Sequence, residues 1–134
     1  MARVTVDGGV IAACVWDHHG GGGPLSLFWE AAHTLDHRVR DESGLAGVRQ
    51  GHLGQLMREA ELHDVEETLL SVGVEHATFD DWWEPYTLGV GPAGTYVQGL
   101  DAAGQARLRD RCQEMLPSPP FTLTAQAWAA RGHA

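Results

Sequence analysis

The sequence predicts an α/β fold of about three strands with helices between them, and three observations carry this. Val10 to Trp16 is an almost unbroken apolar run between the turn signal Asp7-Gly8-Gly9 and the polar Asp17-His18-His19, the pattern of a strand covered on both faces. Val65 to Phe79 and Phe121 to Ala130 alternate with a period of two, as half-buried strands do. Between these strands apolar residues return at helical spacing. Strands alternating with helical stretches define the α/β class. At 134 residues the chain has the size of one domain, and neither an internal repeat nor a domain boundary is visible in it.

Each element follows from its residues. Gly8 and Gly9 supply the backbone freedom of a turn before the first strand, which opens at its far end into Gly20 to Gly23. Pro24 suits the first turn of a helix, and Leu25, Phe28, Trp29, Ala32 and Leu35 give that helix one apolar face as far as Asp36. His37 to Val48 mixes charge, Ser and Gly and reads as a loop. From Gln50 to Leu62, Leu53, Leu56, Met57 and Ala60 line one side of a second helix. In the strand that follows, Leu70, Val72, Val74 and His76 point one way, and Leu69, Ser71, Gly73, Glu75 and Ala77 the other. Asp80 and Asp81 cap and favour the start of a short helix bearing Trp82, Trp83 and Tyr86, which Pro85 bends or shortens. Neighbouring Trp side chains on a helix diverge, so one of the two is expected to be partly exposed. Gly89, Gly91, Pro92 and Gly94 break the chain. Asp101 then caps a helix with Leu108, Cys112 and Met115 on one face, and Pro117, Pro119 and Pro120 end it. In the last strand Phe121, Leu123, Ala125 and Ala127 oppose Thr122, Thr124, Gln126 and Trp128.

Composition narrows the partners. Eighteen acidic against nine basic residues give a net charge of −9, and the Arg residues are scattered. No basic stripe is present to neutralise a phosphate backbone, so nucleic acid is not an expected partner. The same sign disfavours anionic membranes. No apolar run approaches the about 20 residues of a membrane span, and no signal peptide opens the sequence, which leads to the expectation of a cytoplasmic protein. Cys14 and Cys112 form no disulfide framework and read as two buried thiols.

The segment Arg3-Val4-Thr5-Val6-Asp7-Gly8-Gly9 leads into the strand ending at Asp17. Gly51-His52-Leu53 to Leu62 leads into His63 to Val74, then come Phe79-Asp80-Asp81-Trp82-Trp83 and Phe121 to Arg131. In this order, from Ala2 to Gly132, they resemble the carboxyl-terminal half of class I S-adenosylmethionine-dependent methyltransferases, in particular the small-molecule branch related to ubiquinone and sterol methylases. The resemblance implies the C-terminal part of a Rossmann-like methyltransferase sheet with its last two strands antiparallel. Residues 1–134 would then be a single partial domain lacking the N-terminal cofactor-binding half. The family grips its cofactor with a glycine-rich loop after its first strand and an acid ending its second. Neither segment occurs here, and only Met1 and Ala2 precede Arg3. S-adenosylmethionine is thus the family's cofactor but is not expected to be bound by this chain alone.

Trp16 and Asp17 end a strand at its carboxyl edge, where open α/β sheets place ligands. The resemblance makes them part of a substrate wall, with Trp82, Trp83 and Tyr86 as a lid over an apolar or aromatic acceptor; packing of the same aromatics as a core anchor is the other reading. No residue is assigned a catalytic role. Gly20 to Gly23 ahead of a helix superficially suit an anion, yet no P-loop Lys-Ser or Lys-Thr and no acid-ended second strand follow. His18 and His19 are adjacent and point apart, and with no Cys-x-x-Cys or His-Glu-x-x-His no metal site is expected. The acids at 59, 61, 66, 67, 80, 81 and 84 single out no acid/base pair, and Ser26, Ser43, Ser71 and Ser118 lack a nucleophile elbow.

The expected function is therefore the substrate-side half of a methyltransferase, inactive alone. The alternative is a non-catalytic interaction or oligomerisation module, or a decayed remnant of such an enzyme. In either case self-association as a homodimer through the first strand edge, Val10 to Val15, or pairing with a complementary N-terminal half, is expected. A chemistry-free pocket for an apolar ligand is a third reading.

Overall fold

The computed structural model describes residues 2–134 and leaves Met1 outside the described residues. It is an α/β chain with one open, antiparallel three-stranded sheet and five α-helices. In chain order these are β1 (Val10–Trp16), α1 (Ser26–Leu35), α2 (His52–Glu59), β2 (His63–His76), α3 (Phe79–Thr87), α4 (Gly91–Gly99), α5 (Ala102–Met115) and β3 (Phe121–His133). The sheet order is β1-β3-β2, so the last strand in sequence is the central one. β1 and β3 run antiparallel, with the register extending from Val10 opposite His133 to Trp16 opposite Ala127.

The chain divides into two compact units. Unit 1 comprises Met1–Gly23, Ser43–Val72 and Ala125–Ala134. It holds β1, α2 and most of β2 and β3. One face of its sheet is covered: Ile11 and Ala130 pack with Met57 of α2 and with Leu62, joined by Ala13, Leu53, Val65 and Ala134. α2 is anchored from β2, because Glu67 accepts from the backbone N–H of Gly51 (2.6 Å) and of Gly54 (2.7 Å). A carboxylate of the next strand thus satisfies amides that a helix start leaves free.

Unit 2 comprises Pro24–Glu42 and Gly73–Thr124. Its core is aromatic: Phe28, Trp29, Phe79, Trp82, Trp83 and Tyr86 pack with Val97, Leu108 and Cys112. Phe28 stacks on Tyr86 at 4.6 Å between ring centroids and meets Trp29 edge-on at 5.0 Å. α5 begins as its sequence predicts, with Asp101 accepting from the Gly104 N–H at 2.7 Å.

Three expectations are corrected and a fourth is refined. β1 is not covered on both faces: the row Val10, Ala12, Cys14 and Trp16 is exposed, because β1 is an edge strand and α2 packs on the opposite row. Cys14 is consequently exposed, while Cys112 is buried. The N-cap residue of α3 is Thr78, with Asp81 completing the cap from the first turn, where Asp80 and Asp81 both stand as expected. Thr78 Oγ1 accepts from the Asp81 N–H (3.1 Å) and Asp81 accepts from the Thr78 N–H (2.9 Å), a capping box. Both Trp82 and Trp83 are buried, at 4% and 6% exposure. Each finds its own partner one turn away, Trp82 with Tyr86 at 5.0 Å and Trp83 with Phe79 at 6.3 Å.

The stretch read as a chain break is α4. Gly89 and Gly91 take positive φ at its entry, Pro92 occupies the first turn, where a missing N–H is harmless, and Ala93 and Val97 are buried one turn apart. A Cβ at Gly94 would lie 2.8 Å from the backbone of Gly89, so these glycines fold the segment tightly instead of interrupting it. Elsewhere β2 starts two residues earlier than its alternation shows, and β3 runs on to His133.

Two outcomes follow for unit 2. Leu108→Ala, at a site with no exposed surface, is expected to lower unfolding free energy by about 2–5 kcal/mol in urea titration. Burial pushes the Cys112 thiol up from 9.0 to about 12 and raises the Tyr86 phenol as well. Both hold their protons more tightly folded than unfolded. Their stabilisation is therefore complete below pH 9.0 and is lost as pH rises through about 12. Denaturation midpoints measured upward from pH 8 are expected to fall.

Candidate functional site

The open face of the unit 1 sheet follows from the strand register. Residues directly opposite in an antiparallel pair share a face, so Ala12 with Arg131, and Cys14 with Ala129, line the side that α2 does not cover. β2 adds Glu66 and Thr68, and together these residues, with Ala13 and Ala130, bound a concavity of about 750 Å³. Its floor is made of small apolar side chains. Larger ones flank it along the strands: Val10 is 60% exposed, Trp16 41%, Leu70 50% and Val72 48%.

Charge at the concavity is sparse and partly committed. Arg131 donates to Glu66 through Nε at 2.9 Å and Nη2 at 2.7 Å, an exposed pair of small energetic weight. Glu67 is engaged by the start of α2. Apart from this Glu66–Arg131 pair, no acidic and basic side chains are paired among the described residues lining this face, and no group of His, Cys, Asp and Glu is arranged to hold a metal ion. The surface can bind apolar matter; it has no proton-transfer pair.

At the end of β1 stands Asp17, 7% exposed. Its Oδ1 accepts from the Gly20 N–H (2.9 Å) and from Trp128 Nε1 (3.1 Å). Its own N–H donates to Gln126 O at 2.9 Å, and its carbonyl accepts from Gly22 (3.1 Å) and Gly23 (2.9 Å). The glycine run is therefore wrapped on this residue, and a Cβ at Gly20 would stand 2.4 Å from the carboxylate. Burial of a carboxylate is tolerated here because its hydrogen bonds are supplied. Trp16, next to it, projects from the open face.

Of the residues expected at a site, Trp16 and Asp17 thus lie together in unit 1, one exposed and one enclosed. Trp82, Trp83 and Tyr86 lie together in the buried core of unit 2, with no side chain free at a surface. Tyr86 and Cys112 keep their protons at neutral pH because burial disfavours both anions. Neither serves as a base or nucleophile there. The concavity itself, and Trp128 as the partner of Asp17, were not singled out by sequence reasoning. The alternation of β3 places Trp128 on a definite row, but the pairing that brings it to Asp17 requires a register that no local signal encodes.

No family model and no curated protein matches the chain.

Asp17→Ala removes the acceptor of two hydrogen bonds and leaves the Trp128 indole N–H without it. A loss of about 1–3 kcal/mol is expected in urea titration, with Asp17→Asn losing less because one acceptor oxygen remains. Native thiol labelling is expected to modify Cys14 quickly and Cys112 only after unfolding.

Proposed function

We propose that the chain is the substrate-side half of a methyltransferase-like α/β domain, acting in the cytoplasm and only when another polypeptide extends its sheet from β1. One observation carries the reading: β1 pairs with β3 alone, while its outward row is apolar and exposed. An unpaired strand edge is a template for strand addition, and burying apolar surface yields about 25 cal/mol per Å². The ordered resemblance from Ala2 to Gly132 supplies the identity of the sheet as the C-terminal part of a Rossmann-like one. It also supplies the donor, S-adenosylmethionine. Trp16 and Asp17 then end a strand where such sheets bind ligands and form the acceptor wall, with Asp17 holding the glycine turn in shape. Trp82, Trp83 and Tyr86 form the packed base of the acceptor-side helices. Methyl transfer rests on holding donor and acceptor in line, a task divisible between two chains.

The free edge also favours a second reading, a non-catalytic interaction module or remnant of such an enzyme. In that case β1 pairs antiparallel with β1 of a second copy.

Calorimetric titration of S-adenosylmethionine is expected to show no saturable heat with the pure chain. It is expected to show one when the chain is co-expressed with a polypeptide bearing a strand, glycine loop and acid-ended second strand. Saturable binding by the pure chain overturns the divided-domain reading. Sedimentation at micromolar concentration is expected to show the chain alone as a dimer or larger; a compact monomer throughout that range contradicts edge pairing.

A further inference from the structure

We propose that His52 is a pH-sensitive latch, which holds the segment 43–51 against the covered side of β1 while its ring is neutral and releases it on protonation. The bond that closes the latch fixes where the ring proton sits. The Gly47 N–H donates to His52 Nδ1 at 3.1 Å. A backbone N–H can only donate, so Nδ1 presents a lone pair and the ring proton is on Nε2. A second proton on the ring goes to Nδ1, the atom that Gly47 already uses. Two N–H groups then face each other, and the bond is lost.

What the latch holds is enclosed. Gly47 and Val48 are both buried, Val48 at 1% exposure. Gly47 takes a φ of 85°, and a Cβ there would stand 2.9 Å from Leu53 Cδ2 of α2 and 3.2 Å from Val15 Cγ1 of β1. The segment therefore sits between helix and strand at a point with no room for a side chain. The Val48 carbonyl accepts from the His19 N–H at 3.3 Å, which ties the segment to the turn wrapped on Asp17. Protonation of His52 leaves a buried backbone donor without its acceptor, a condition that folded chains rarely keep. Release of Gly47 and Val48 then removes a support of the turn at the end of β1, where Trp16 and Asp17 stand.

The charged groups around this end of α2 do not replace the lost acceptor. From β2, Glu67 reaches the start of the helix but already accepts from the N–H groups of Gly51 and Gly54. Arg58 stands beside it: a Cβ at Gly54 would be 3.1 Å from Glu67 Oε2 and 3.3 Å from Arg58 Nη1. The segment itself brings Arg49, whose carbonyl accepts from the His52 N–H at 3.1 Å. The turn after β1 brings His18, His19 and the enclosed Asp17. Glu67 attracts a cation at His52, while Arg49, Arg58 and the positive end of α2 repel one. Neither effect restores a lone pair at Nδ1. The inference stands apart from the methyl-transfer reading and holds whatever partner β1 takes.

The test is nuclear magnetic resonance on the full chain, titrated from about pH 7.5 to about pH 5.5, across the range in which histidines change charge. At about pH 7.5 the ring nitrogen shifts are expected to show His52 Nδ1 without a proton. Amide exchange of Gly47 and His19, divided by the intrinsic rate at each pH, is expected to accelerate at least about tenfold as the His52 ring takes up its proton, while the centre of β3 stays protected. His52→Asn offers an amide oxygen in place of Nδ1 and cannot become charged, so Gly47 is expected to stay protected throughout. His52→Ala is expected to leave Gly47 fast at every pH. The unsubstituted chain and His52→Asn decide the matter even where His52→Ala fails to fold. A proton on Nδ1 at about pH 7.5, or Gly47 exchange indifferent to pH, overturns the latch. So does an equal acid response in His52→Asn, which places the titrating group elsewhere, at His18 or His19.

Discussion

A β-strand has two edges to pair and two faces to cover, and among the described residues only β3 has both edges paired. The last strand in sequence holds the first and the second together, and its register with β1 decides what the rest of unit 1 presents. With Ala13 opposite Ala130, the row of Ile11 and Ala13 turns toward Met57 and Leu62. The row of Ala12 and Cys14 turns outward. A slip of one residue would exchange the two rows, burying Cys14 and exposing Ile11. The same register brings Trp128 within hydrogen-bonding distance of Asp17, so the glycine turn after β1 depends on it too.

The two units distribute chemistry unevenly. Unit 2 encloses Phe28, Trp29, Phe79, Trp82, Trp83 and Tyr86 together with Cys112, and burial keeps its Tyr86 and Cys112 protonated. Its polar links, such as the Trp29 indole N–H to Glu42 at 2.9 Å and Arg109 to Asp80 at 2.7 Å, tie loops and helices together. Unit 1 instead leaves an apolar face in water, a feature that folded monomers keep small unless it binds something.

Much of the fold was legible in local sequence. The period of two in β3, the apolar face of α1 and the Asp101 cap each arise from residues close in sequence, where pattern and cause coincide. α4 was not, because Gly and Pro are poor helix formers on average and only the tight approach of Gly94 to Gly89 explains their use. The apolar run of β1 was read correctly as a strand but wrongly as enclosed. Pattern records how apolar a strand is, not whether a neighbour lies beside it. For the same reason Trp16 and Asp17 could be placed at a strand end, while the hollow formed by Ala12, Cys14 and Ala129 emerged only from non-local pairing.

Amide hydrogen exchange, followed residue by residue at a concentration where the chain sediments as a monomer, tests the open edge of β1 most directly. In an antiparallel edge strand alternate N–H groups point away from the sheet. Fast exchange at alternate positions across Val10–Trp16, against slow exchange across the paired centre of β3, is the expected result. Protection of every amide of β1 under those conditions would contradict an unpaired edge, and with it the account of a sheet that another polypeptide completes.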